Sequence, residues 1–154
     1  MDLKFLAVLV VLLVPSNAMA EALLCITEST VGYNWENDRW TPKIFNNDTK
    51  YTIRAARKED ATEMPFVDKN NKSQMSHVLR KVDTGLLSPC FNNEDRVYCE
   101  ILAGNFNFRK DTKRFYRTNG IGWLSMDKGG VENFIKNFHG MDSSYIEVGS
   151  CSEI

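Results

Sequence analysis

The chemistry-bearing side chains of this chain are few. There are two histidines, His77 and His139, and four cysteines, Cys25, Cys90, Cys99 and Cys151. Neither histidine stands in a His-Glu-x-x-His motif, and there is no Gly-x-Ser-x-Gly elbow. No glycine loop of the phosphate-cradling type occurs. Ser76 precedes His77. Neighbours in a strand point to opposite faces, so that reading excludes a direct Ser–His pair. The carboxylate pairs Glu59-Asp60 and Glu94-Asp95 lie in loop-like stretches and read as solvated charge. No catalytic residue is therefore assigned, and hydrolysis remains only a minority reading.

The cysteines fit a different purpose. No Cys-x-x-Cys occurs, and two histidines do not complete a metal set. An even cysteine count in an exported chain indicates a disulfide framework. Of three possible pairings, Cys25–Cys151 and Cys90–Cys99 are favoured. Cys90 and Cys99 bracket a turn-like segment, Phe91 to Asp95. Cys25 and Cys151 sit near the two ends of the exported chain, and joining them brings the first and last strands together. Closing so long a loop contributes on the order of 4–5 kcal/mol in the chain-entropy model.

Export itself is read from the N-terminus. A short charged head at Asp2 and Lys4 leads into an apolar run, Phe5 to Pro15, and then Asn17-Ala18-Met19-Ala20. That is the layout of a signal peptide over residues 1–20, with cleavage after Ala20. The run is too short to span a bilayer. No later segment reads as transmembrane. Residues 21–154 form one expected domain, long enough to bury a core. The formal net charge is −1 and no basic patch stands out, so nucleic acid is not an expected partner. The location expected is periplasmic or secreted. Asn47-Asp48-Thr49 and Asn71-Lys72-Ser73 match the N-glycosylation pattern, which has meaning only in a eukaryotic route.

The elements that must position these residues alternate with a period of two. Leu23 to Thr30 is a strand. Val31 to Phe45 is a hairpin with its turn at Glu36, Asn37 and Asp38. Val31, Tyr33 and Trp35 share one face. After the turn Trp40 and Ile44 share a face, with Pro42 between them marking an edge or a bend. Further strands are expected at Lys50 to Arg57, His77 to Asp83, Arg96 to Ala103, Asn105 to Arg109, Arg114 to Asn119, Ile121 to Ser125 and Ser144 to Cys151. Arg96 to Ala103 is expected to be central. Lys58 to Gln74, broken by Pro65, reads as a loop. In Val131 to Phe138 the period changes, with apolar residues at Val131, Phe134, Ile135 and Phe138 on one helical face. The fold class is thus all-β, an antiparallel barrel or sandwich of about eight strands with one short C-terminal helix.

Aromatic residues give the best pointer to binding. Tyr33, Trp35, Trp40 and Trp123 are the candidate ligand-binding residues, because tryptophan wants a partner for its ring N–H and favours a mouth or rim. Most of the aromatic side chains are read as core. Trp35→Ala is accordingly expected to cost several kcal/mol.

The early Cys25, Gly32-Tyr33-x-Trp35, Trp40 and Phe45, then Cys90 and Cys99, Phe106-x-Phe108 through Arg114-Phe115, and the ending Tyr145 to Ser152 resemble a set of small, uncharacterised exported bacterial proteins. That resemblance implies no activity. Gly32 and Trp35, with a helix expected late in the chain, also resemble lipocalin-like barrels, with the glycine–tryptophan pair one residue further apart. This resemblance implies barrel topology. The function expected is a non-enzymatic β-barrel holding a small apolar ligand in its lumen, with no cofactor. The alternative is an envelope or extracellular interaction or inhibitor module. Its contacts would be Lys58 to Gln74 and the loop closed by Cys90 and Cys99.

Overall fold

The computed structural model describes residues 22–46, 48–64, 73–102, 104–120 and 143–154. The expected leader, the strand Ile121 to Ser125, Trp123, His139 and the helix Val131 to Phe138 all lie outside these residues.

The strands are β1 (Leu23–Glu36), β2 (Arg39–Phe45), β3 (Lys50–Ala55), β4 (His77–Lys81), β5 (Leu87–Asn92), β6 (Arg96–Ile101), β7 (Gly104–Arg109), β8 (Arg114–Asn119) and β9 (Ser143–Glu153). They run antiparallel in the order β2-β1-β3-β4-β5-β6-β7-β8-β9, and β9 returns to pair with β1. Eight strands therefore close a barrel, and β2 is added outside the ring. Closure removes edges, so the distinction between central and edge strands, expected to set Arg96 to Ala103 apart, does not apply within it. In β6, Val97 and Cys99 are buried while Arg96 and Glu100 are exposed.

β1 is longer than expected, one strand where the alternation suggested two. Its first half pairs with β3 and its second half with β2, on the same flank, while β9 runs along the other. The upper part of β1, together with β2 and the start of β9, forms a flap rising from the barrel. Asn37 and Asp38 make the two-residue turn at its tip, both with positive φ (53° and 57°), as such a hairpin turn requires. A two-residue loop makes Glu36 and Arg39 the first hydrogen-bonded pair. Pro42 then falls at a position whose missing N–H faces the free side of β2. This meets the expectation of an edge at Pro42.

A bulge between Thr27 and Ser29 decides which way the flap faces. Thr27 is opposite Gly149 and Ser29 opposite Val148, so Glu28 is the extra residue and the alternation shifts by one. Cys25, Thr27 and Thr30 point inward and are buried. Val31, Tyr33 and Trp35 therefore point outward.

The sequence missed β5. Ser88 and Pro89 interrupt its apolar pattern, and the segment after Cys90 resembled a loop. It is a strand, with Cys90 directly opposite Cys99 on β6. Both expected disulfides form. Cys25–Cys151 joins the first and last strands at a Cα separation of 3.9 Å, and Cys90–Cys99 joins β5 to β6 at 4.0 Å.

The barrel interior is apolar at its core. Phe106 and Phe115 stack at 4.7 Å, and Tyr51 meets them edge-on at 5.4 and 6.0 Å. Gly149 lies across from Phe115, and a Cβ there would come within 2.1 Å of the Ile26 carbonyl oxygen, so only glycine lets these strands approach. Towards the flap the interior turns polar. Glu147, 0% exposed, accepts from Tyr51 Oη at 2.5 Å and faces Arg117 at 3.3 Å. Arg117 also donates to Tyr145 Oη at 2.9 Å. Burial pushes the Tyr51 hydroxyl well above its ordinary range, so it stays a donor to Glu147.

Candidate functional site

The barrel has outer faces of two kinds. Outside β3, β4 and β5 the outward residues Arg54, Val78 and Pro89 form one row across the strands. A strap covers it. Within the expected loop, Lys58–Thr62 is a 3₁₀ turn, and the strap runs on to the buried Met64. Arg54 donates to both Asp60 oxygens, at 2.8 and 2.6 Å, and the Arg57 backbone N–H adds a third bond at 2.6 Å. The Arg54 bonds, aided by Arg57, hold the Asp60 carboxyl below the usual carboxylate range. Val78 and Met64 are buried without belonging to the interior cluster. Both belong to the strapped side of the barrel, Val78 on the outer face of β4 and Met64 on the strap.

On the outer face of β2, β1, β9 and β8 the side chains are apolar and open. Ile44, Val31, Ile146 and Thr118 lie side by side across the four strands. Two residues along, Pro42, Tyr33 and Ser144 form a second row, with Gly120 just past the end of β8. Between them run Lys43, Gly32, Tyr145 and Asn119. These twelve residues line a groove of about 840 Å³, within the range of small-molecule sites. Ile44 is 86% exposed, and Val31, Tyr33 and Ile146 are about half exposed.

The apolar surface continues past the groove. Tyr116 and Val148 are opposed on β8 and β9, and Ile26 lies beyond them on β1; all three are exposed. Among the described residues, the other exposed large apolar side chains are Val82, Leu86, Leu102 and Ile154, in turns or at the chain end. This face alone gathers such side chains on strands.

Of the expected binding residues, Trp123 lies outside the described residues; Tyr33 lines the groove, and Trp35 and Trp40 do not. Trp35 and Trp40 are directly opposed beside the turn, with rings edge-to-face at 5.4 Å. They pack on each other and lock the hairpin tip, a use of tryptophan that the rim argument overlooked. Trp35 is only partly buried, so it is not a residue of the core. Val31, Pro42, Ile44 and Ile146, not singled out from the sequence, make most of the groove. The alternation of Val31 with Tyr33 was visible, but the bulge that turns both outward was not. Tyr51, Phe106 and Phe115 pack together in the interior, where a lumen ligand was expected.

The exclusion of a Ser–His contact is corrected. His77 opens β4, so Ser76 lies just outside the strand and is free of its alternation. Ser76 Oγ is 3.0 Å from His77 Nδ1. The same hydroxyl also lies 3.4 Å from the Cys90 carbonyl oxygen. Burial and the nearby Lys110 hold this imidazole below its ordinary range. Among the described residues, no carboxylate is bonded to its other nitrogen to orient it as a catalytic base. Nor do three His, Cys, Asp or Glu side chains cluster there as metal ligands would. No helix among them is long and apolar enough to cross a membrane.

Compared with protein-family models, curated proteins and solved structures, the chain matches none.

Proposed function

We propose that this is an exported, non-enzymatic binding protein that takes a small apolar ligand in the groove outside β2, β1, β9 and β8. One observation carries the reading: an open row of aliphatic side chains, Ile44, Val31 and Ile146, lining a concave site on the outer face of the barrel. Exposed apolar surface of this kind costs solubility and is characteristic of interaction sites. The site is proposed on the outer face because the aromatic cluster occupies the core of the interior. Export is supported by the two disulfides, which persist in oxidising compartments, and by the leader-like N-terminus.

Native mass spectrometry of the purified protein against a panel of lipids and hydrophobic metabolites tests this. The expected result is a retained adduct that Ile146→Asp abolishes. Absence of any adduct across the panel would overturn the reading.

A second reading, an interaction module for another protein, is favoured by the extension of the face to Tyr116, Val148 and Ile26. Tyr116→Lys lies outside the groove. A protein partner would be lost in that variant, whereas a groove ligand would be kept.

A further inference from the structure

The groove is not uniform from one side to the other. β2 contributes Pro42 and Ile44, β1 contributes Val31 and Tyr33, and β9 contributes Ile146. The side towards β8 is polar, with Thr118, Asn119 and Gly120 joined by Ser144 of β9. The hydrogen bonds already made there leave a defined capacity. Thr118 Oγ1 accepts the Asn105 N–H at 3.2 Å, so its own proton is left to donate. Ser144 Oγ donates to the Asn119 carbonyl at 3.2 Å, so its lone pairs are left to accept. Asn119 alternates with Thr118 and shares the inward face of Phe115 and Arg117, so its side chain adds nothing to that capacity.

Charge is nearly absent. Lys43 is the one charged residue among the twelve, and it lies on β2, at the far side from Thr118. Its ammonium is 3.1 Å from Glu36, which neutralises it. Glu147 and Arg117, the nearest charges on β9 and β8, face the interior and bond to each other. Among the described residues, an anionic head at the β8 side would meet no cation, and a cationic head would meet no carboxylate. Either would be desolvated without compensation.

We propose that the ligand is a neutral amphiphile. Its apolar body lies across β2, β1 and β9, and an uncharged hydroxyl or carbonyl head sits at the β8 side, bonded through Thr118 and Ser144. This rests on the groove being the ligand site. With strands about 4.8 Å apart, the outer two of the four are roughly 14 Å from each other, a span suited to a medium-length chain or a flat ring system.

Isothermal titration at pH 7 with decanol, decanoate and decylammonium, matched in chain and different in head, is the test. Decanol is expected to bind at least about tenfold more tightly than either ion. Thr118→Val should lower decanol affinity by about 2- to 10-fold, the worth of one neutral hydrogen bond, and Thr118→Ser should restore it. The wild-type ranking stands without the variants, so a variant that fails to fold does not weaken the test. Equal binding of all three, or a preference for decanoate or decylammonium, would overturn the neutral-head proposal and leave the groove as the site. Binding of none would overturn both.

Discussion

The outer faces on two sides of this barrel began from similar material and ended differently. On β4, Val78 faces outward and is fully buried, beside Arg54, to which Asp60 of the strap is bonded. On β1, Val31 also faces outward, in a row with Ile44 and Ile146, and is half exposed. Where the chain needed to hide an apolar outer face, it used a strap and anchored it with a two-pronged ion pair. Leaving the second face open costs solubility and gains no folding stability. That contrast is why we place recognition on the open face and structure on the strapped one.

The contrast can be broken most severely by putting the same charge on each face. Val78→Asp buries a carboxylate under the strap and should cost about 4 kcal/mol or more, read from the shift in urea midpoint. Val31→Asp should cost no more than about 1 kcal/mol. Equal losses would mean that the open face is packed in solution.

A smaller effect sharpens the role of the strap. Asp60→Asn leaves Arg54 with a poorer partner and should cost about 2–3 kcal/mol, reduced by the partial exposure of Arg54. The Asp60 carboxyl is held below its ordinary value, near 4. Its contribution is therefore complete above that value and is lost as pH falls through the lowered one. Melting curves at pH 6 and pH 3 should show the gap between wild type and Asp60→Asn closing in acid. A gap that stays constant would separate the strap from this ion pair.

At the hairpin tip the expected effect is smaller again. Trp35→Ala should cost about 1 kcal/mol, most of it shared with Trp40, since an edge-to-face pair is worth about 0.5–1.5 kcal/mol. The sequence alone suggested several kcal/mol, as for a core residue. A double-mutant cycle with Trp40→Ala should return a coupling near the whole single-mutant loss. Smallest of all, Ile44→Lys should leave stability within about 0.5 kcal/mol, because Ile44 is 86% exposed, and should abolish ligand retention.

Much of the fold was legible. Alternation located most strands, the placement of the cysteines gave both disulfides, and Pro42 marked β2, which lies outside the ring. What was hidden depended on single residues whose effect is geometric. The extra residue Glu28 turns Val31, Tyr33 and Trp35 from inward to outward, and no composition rule signals a bulge there. Pro89 concealed β5 because proline usually ends a strand, yet here it is buried within one. Asp60 looked like solvated loop charge until Arg54, six residues away on β3, was found bonded to it. The groove shares this origin. Its rows come from β1, β2, β8 and β9, and barrel closure brings the first two strands beside the last two.

The most direct test of the account is to find where an apolar ligand sits. Amide chemical shifts followed by NMR during titration with decanol should move at residues 31–33, 43–44, 118–120 and 144–146, while those at Tyr51, Phe106 and Phe115 stay in place. Shifts centred on Tyr51, Phe106 and Phe115, with the four outer segments unchanged, would put the ligand in the lumen and contradict the account.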